Sequence, residues 1–340
     1  MNTLTKSVLG ATAIAILTTA APAVAKDFFK MSSIAAGTTV YTFQTTFVKI
    51  ISKYIPNVEI QVAAAGKATR HNLEAGNYKV DFYMSSPAVY HYLSSGKAMY
   101  KKVKNAPALA KNLRNLFSYP FGSWHIVTFA DSGIKTLKDI KGKRVFLGAP
   151  GGTAYKAGLA MAEASTGYTA GKDFEVVKLG FGPARQAFQD RQTALHIEPT
   201  AAPAPAFAQI ALTNKIRLIG LTDEQWKLPR IAKLYATPGR SIGTIAKNAY
   251  GKNQVNEADI TALATTVGIG THNKLSADLI YRMVKAFWEH IDEAHAVAPW
   301  MKNVTLKNAF SQANMPLHKG AAKYYREIGL KIPDGAKPID

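Results

Sequence analysis

The stretch Arg144-Val145-Phe146-Leu147-Gly148-Ala149-Pro150-Gly151-Gly152-Thr153 reads as a short apolar strand, a tight turn of small residues and the start of a helix. Ala154, Ala157, Met161 and Ala164 then fall on one helical face. The same design occurs twice earlier. Ser33–Tyr41, with Gly37-Thr38-Thr39-Val40-Tyr41 at its end, follows the strand Phe28–Ile34. Met84-Ser85-Ser86-Pro87 follows the strand Val80–Met84, with Ser86 suited to the N-cap and Pro87 to the first helical position. A repeated strand–turn–helix unit is the signature of an α/β fold. Each turn also leaves backbone N–H groups unpaired at the positive end of a helix dipole, where a carboxylate or phosphate can sit without a dedicated cation. In open α/β sheets such turns lie beyond the carboxyl ends of the strands, where ligands bind.

Working outward, strand and helix patterns alternate. Val58–Ala63 alternates apolar and polar residues, and Phe43, Phe47, Ile50, Ile51 and Tyr54 recur at helical spacing until Pro56. Further strands are expected at Glu175–Leu179, Ala194–Ile197 and Ile216–Gly220, and helices at Ala154–Ser165, Pro183–Arg191 and Pro203–Leu212. The alternation predicts parallel sheets. Nearer the C-terminus Ser276 can cap a long helix, with Leu279, Ile280, Met283, Val284, Phe287, Trp288 and Ile291 as its buried stripe. There is no internal repeat and no low-complexity tract.

The N-terminus indicates the compartment. Lys6, the uncharged apolar run Val8–Ala21 and Ala23-Val24-Ala25 read as a cleavable secretory signal peptide over 1–25, with Lys26 as the mature start. The run is short for a membrane span. The chain contains no cysteine, so disulfides, thiol catalysis and a lipid-modified cysteine are excluded. A soluble export product without an anchor suggests the periplasm of a Gram-negative cell. The net charge is +20. Outside the cytoplasm that charge points away from nucleic acid, and towards a solubilising surface and a field that draws in anions.

Enzyme constellations are missing. No Gly-x-Ser-x-Gly, His-Glu-x-x-His or Gly-Lys-Ser/Thr phosphate loop occurs. The eight histidines are scattered, and His290 and His295 are spaced for different helix faces, so neither a metal site nor a cofactor is expected. Glu198, beside Pro199 and Thr200, reads either as a solvated strand end or as an acceptor for a ligand ammonium or hydroxyl.

These residues carry a resemblance. Gly37–Tyr41, Ala68-Thr69-Arg70-His71-Asn72-Leu73-Glu74-Ala75-Gly76, Val80-Asp81-Phe82, Asp131-Ser132-Gly133-Ile134, Leu137–Val145, Gly148–Thr153 and Leu317–Gly329 follow, in order and spacing, the motifs of the TAXI family of solute receptors for TRAP transporters. The resemblance implies a type II periplasmic binding protein fold: α/β, two lobes, a central cleft and a hinge. Residues 26–124 with 240–340 would form lobe I, and 125–239 an inserted lobe II. It implies a monomeric receptor that does no chemistry and hands a small anionic organic ligand to an integral-membrane TRAP permease. The sequence departs from the family at Thr38-Thr39-Val40, at Ser86 and Ala88, and at Gly152. Those changes remove groups that would read an amino acid such as glutamate, and favour a plain carboxylate or dicarboxylate.

The expected carboxylate contacts are Thr38, Thr39, Ser85, Ser86, Gly151, Gly152 and Thr153, through backbone and hydroxyl donors. Tyr41 would shape the pocket or pack in the core. Asn72 would touch ligand or cap a turn. Arg70 and Arg185 (with His71) are candidates for pairing with an anion, and Glu198 completes the set. Trp124 and His125 are expected to pack at the lobe crossing. The rivals are a periplasmic enzyme on the same fold and a basic adhesin or sensor input.

Overall fold

The computed structural model describes residues 26–339; the signal peptide expected over 1–25 lies outside them. Among the described residues ten strands form one continuous sheet in the order β2-β1-β3-β10-β4-β7-β5-β6, with β8 added to β4 and β9 to β10. The strands are β1 (Asp27–Ser33), β2 (Val58–Ala64), β3 (Phe82–Ser85), β4 (Leu113–Phe129), β5 (Arg144–Phe146), β6 (Glu175–Val176), β7 (Leu195–Thr200), β8 (Ile216–Leu218), β9 (Arg240–Ile245) and β10 (Ile260–His272).

The expectation of parallel sheets holds only at the two ends. β1 is parallel to β2 and β3, and β5 to β6 and β7. β10 is antiparallel to β3, β4 and β9, and β4 is antiparallel to β7 and β8. The sheet is therefore mixed. β4 and β10, seventeen and thirteen residues long, join its two ends.

Two large cores sit at those ends. The first packs α1 (Thr39–Tyr54) and α10 (Ala277–Glu289) on the sheet around Phe43, Phe47, Phe117 and Phe287. Phe117 and Phe287 stack with centroids 4.8 Å apart. The α1 stripe Phe43, Phe47, Ile50 and Ile51 is buried, as its spacing predicts. Thr38 caps the N-terminus through Tyr41 N. Each such buried side chain contributes roughly 1.5–3 kcal/mol. The second core packs α5 (Thr153–Thr166) and α9 (Pro229–Tyr235) on β5 and β7, around Val145, Leu147, Ala157, Met161, Leu195 and Ile197. Two packed ends with a cleft between them, spanned by two long strands, form a mixed α/β architecture.

One helix ends earlier than its stripe suggests. α10 stops at Glu289, and Ile291 begins the separate α11 (Ile291–His295). The break is His290, whose φ of −121° leaves the helical region and whose ring stacks on Tyr54.

Candidate functional site

The cleft holds a cavity lined from both lobes. Ile34, Val40, Met84, Val89 and Phe121 come from the first. Trp124 stands on β4 at the crossing, Ala149, Ala154, Phe181 and Pro199 come from the second, and Thr265 and Val267 from β10. The lining is mostly apolar. Its polar members are Lys67, Thr69, Ser86, Gly152, Thr153, Glu198 and Thr265.

Five helices begin at this cavity. Val40 belongs to the first turn of α1, and Ala68 and Thr69 open α2 (Ala68–Gly76). Ser86 caps α3 (Pro87–Ser94), Thr153 opens α5 with Gly152 as its cap, and Phe181 opens α6 (Phe181–Gln189). No first turn among the five contains an acidic residue. Their dipoles therefore present uncancelled positive ends to the cavity. Two glycines make the position of α5 possible. Gly148 takes φ +110°, where a Cβ would lie 2.6 Å from Tyr155 N, and a Cβ on Gly158 would lie 2.2 Å from the Leu147 carbonyl.

Three contacts cross the cleft. Lys67 Nζ donates to the Pro150 carbonyl at 2.5 Å. The Thr39 and Thr200 hydroxyls lie 3.1 Å apart, and Arg185 Nη1 donates to the Gly37 carbonyl at 3.3 Å. The first of these places an ammonium between the starts of α2 and α5.

Glu198 is the acidic residue lining the cavity, and its charge is already matched. It accepts from Arg185 Nε at 3.1 Å and Nη2 at 3.4 Å, and lies 3.0 Å from His196 Nε2. Burial opposes its ionisation, yet the His196 hydrogen bond and the Arg185 charge outweigh that and hold its carboxyl below the usual range. Behind it His125 is fully buried and its pKa is lowered to about 4, chiefly by desolvation.

The expected site residues separate into three groups. Ser86, Gly152, Thr153 and Glu198 line the cavity. Thr38, Thr39, Gly151 and Arg185 stand beside it in structural roles. The Thr38 hydroxyl donates to the Ala35 carbonyl while accepting from Tyr41 N, Thr39 meets Thr200, and Gly151 turns with φ +74° next to Lys67 Nζ. Arg185 is committed to Glu198. Tyr41, Ser85, Asn72 and Arg70 are not among the lining residues. Ser85 donates to Asn115 Oδ1 at 2.7 Å, and Asn72 donates to the Ala68 carbonyl in its own helix. Arg70 pairs on the surface with Glu74, and His71 lies against the Ala65 carbonyl. The reading of Glu198 as a solvated strand end does not fit, because it is buried in a polar cluster with Arg185 and His196.

Sequence reasoning missed Lys67, Phe121, Phe181 and Thr265, and assigned Trp124 to packing alone. Trp124 does pack, with the Arg240 guanidinium 5.1 Å from its ring centroid. It also lines the cavity, and its Nε1 is buried without a hydrogen-bond partner among the described residues. Its position directly after Gly122-Ser123 in the sequence was the available signal. Among the described residues no group of three or more His, Asp or Glu side chains is arranged to hold a metal ion, and no helix is long and apolar enough to cross a membrane.

The chain is similar to several solved structures at low identity. A TRAP periplasmic solute-binding protein from Shewanella oneidensis, with bound succinate, is 13% identical, with a TM-score of 0.47 over 89% of this chain and 92% of that one. One from Sulfitobacter sp. NAS-14.1, with bound β-D-galacturonate, is 10% identical, with a TM-score of 0.47 over 88% and 94%. The periplasmic aliphatic sulphonate binding protein SsuA from Escherichia coli is 12% identical, with a TM-score of 0.42 over 89% and 88%. The NMT1-like family model matches residues 33–329. That span runs from the end of β1 to the turn after α12 (Lys319–Glu327) and contains the second core, all of the first but Met31 and Ala336, and every cavity-lining residue. The chain belongs to the NMT1-like family.

Proposed function

We propose that this chain is a periplasmic solute receptor of the TAXI type. It captures a small organic anion between its lobes and delivers it unchanged to an integral-membrane TRAP permease. The observation that carries the reading is the convergence of five helix starts, none with a first-turn acid, on one cleft cavity. Such ends favour negative charge, and Lys67 adds a full cation at the rim. Hinge closure about β4 and β10 would bring the lobes together on the ligand, with 26–124 plus 240–340 and 125–239 as the moving bodies.

The reading treats the Glu198–Arg185–His196 cluster as structure rather than catalytic machinery. Arg185 and His196 occupy the carboxylate that an acid/base mechanism would need. A thermal-shift panel of carboxylates, dicarboxylates, 2-oxo acids and acidic amino acids tests the proposal. Saturable stabilisation by a small anion, with the anion recovered intact, is the expected result. Conversion of the anion would establish the enzyme reading. Binding only to anionic polymers, abolished by salt, would establish the adhesin reading.

A further inference from the structure

The cavity is unusual for a polyanion site in one respect. Lys67 is the cation in its lining, Glu198 brings a negative charge that Arg185 already balances, and the greater part of the wall is hydrocarbon or aromatic. A ligand with two separated carboxylates has only one side-chain cation in the lining, so its second carboxylate would rest on partial charges at a helix start or against Met84, Phe121 or Val267, without a full counter-charge. Burying an unpaired carboxylate in such surroundings is strongly unfavourable. A ligand rich in hydroxyls would leave most of them unbonded there, at a cost for each.

A second observation defines what the wall does ask for. Trp124 is 3% exposed, lines the cavity, and leaves its indole N–H without a partner. Buried indole N–H groups normally find an acceptor. Arg240, also buried and without an acidic partner among the described residues, covers the Trp124 ring and holds it in place. Trp124 is a lining residue of the cavity, so a ligand held there is the candidate acceptor for this N–H.

Resting on the receptor reading above, we propose that the cleft selects an apolar monocarboxylate. Its carboxylate sits between the starts of α2 and α5 beside Lys67. Its body, branched aliphatic or aromatic, packs on Val40, Met84, Phe121, Trp124 and Val267, and a ligand oxygen accepts from Trp124 Nε1. Hydrophobic 2-oxo acids have this chemistry. Dicarboxylates, acidic amino acids and sugar acids do not. Lys67 supplies the charge, and Arg240 acts as a positioning residue for Trp124.

Isothermal titration of the mature protein tests this, with phenylpyruvate, 4-methyl-2-oxopentanoate and phenylacetate on one side and succinate, glutamate and galacturonate on the other. The apolar acids are expected to bind at least about tenfold more tightly, a difference of roughly 1.4 kcal/mol. Lys67→Gln, an exposed position where folding is not at stake, is expected to weaken them by about tenfold or more. Trp124→Phe keeps an aromatic face but removes the donor together with the five-membered part of the indole, so some loss of melting temperature is expected. The readout is therefore differential: the 2-oxo acids are expected to weaken by roughly three- to tenfold more than phenylacetate, which has no 2-oxo oxygen for the indole to bind. Tighter binding of succinate, glutamate or galacturonate overturns the selectivity while leaving a receptor. Unchanged affinity in Lys67→Gln overturns the placement of the carboxylate, and 2-oxo acids that weaken no more than phenylacetate in Trp124→Phe overturn the role of the indole donor. Binding of none of the six overturns both this inference and the receptor reading.

Discussion

Replacing Arg185 by methionine isolates the buried cluster under the cleft. The Arg185 and Glu198 side chains are only 12% and 6% exposed, and Arg185 makes both the bidentate contact to Glu198 and the bond to the Gly37 carbonyl across the cleft. Removing one partner of a buried pair costs about 3–5 kcal/mol, because a charge is left without compensation. His196 remains 3.0 Å from Glu198 and supplies part of the lost stabilisation, which puts the expected loss near the low end, about 3 kcal/mol. For a chain of 340 residues that is a fall in melting temperature of about 4 °C. The Arg185→Met/Glu198→Gln double variant removes both charges together and is expected to recover much of the loss, as paired replacements of buried ions do. Urea denaturation of wild type, both single variants and the double variant gives the coupling energy directly. A loss below about 1 kcal/mol for Arg185→Met, or strict additivity in the double variant, would show that the pair is not acting as a buried ion pair.

Other outcomes follow from the same geometry. Gly158→Ala drives a methyl group to 2.2 Å from the Leu147 carbonyl; it is expected to lower stability by about 2–3 kcal/mol and, by displacing the start of α5, to weaken ligand binding as well. His125 and His318 have folded pKa values lowered to about 4, chiefly by burial. Below their ordinary value of 6.5 the unfolded chain takes up protons that the fold refuses. Stability from these groups is full above pH 6.5 and falls progressively towards pH 4, by up to about 3 kcal/mol per histidine. Denaturation midpoints across pH 4–7 read this, with His318→Gln expected to flatten the slope. Thr39→Val removes the hydroxyl contact to Thr200 across the cleft; a loss of about 1 kcal/mol from the closed form is expected, seen as a larger radius of gyration by small-angle scattering without ligand.

Much of the outer architecture is legible in the sequence, because it rests on local chemistry. The Thr38 cap and the stripe Phe43, Phe47, Ile50 and Ile51 define α1, and Ser86-Pro87 and Gly151-Gly152-Thr153 mark the starts of α3 and α5. The centre of the molecule is not legible. β4 is buried along nearly its whole length, so it shows no alternation of apolar and polar residues, and Pro120, Gly122 and Ser123 read as a turn in sequence although Gly122 and Ser123 pair with Thr265 and Ala264 of β10. β10 has Thr265, Thr266, Gly268 and Gly270 in its interior, a composition that reads as loop until its neighbours are known. Missing these two strands made the sheet look parallel.

The site divides in the same way. Turns that cap helices announced themselves through small residues and hydroxyls, so Ser86, Gly152 and Thr153 were found. Lys67 carries no local signal among 42 lysines and arginines; only the approach of Pro150 from the other lobe gives it a place. Ser85 and Asn72 had suitable chemistry for a ligand, but the fold uses it internally, for Asn115 and for the Ala68 carbonyl.

The most direct test of the account is native mass spectrometry of the protein purified from a periplasmic extract. One small organic anion bound per chain, released with its chemical structure intact and displaced by excess of the same compound, is the predicted result. A chain that carries no small anion and gains none from the carboxylate panel, or one that releases a converted product, would contradict the account.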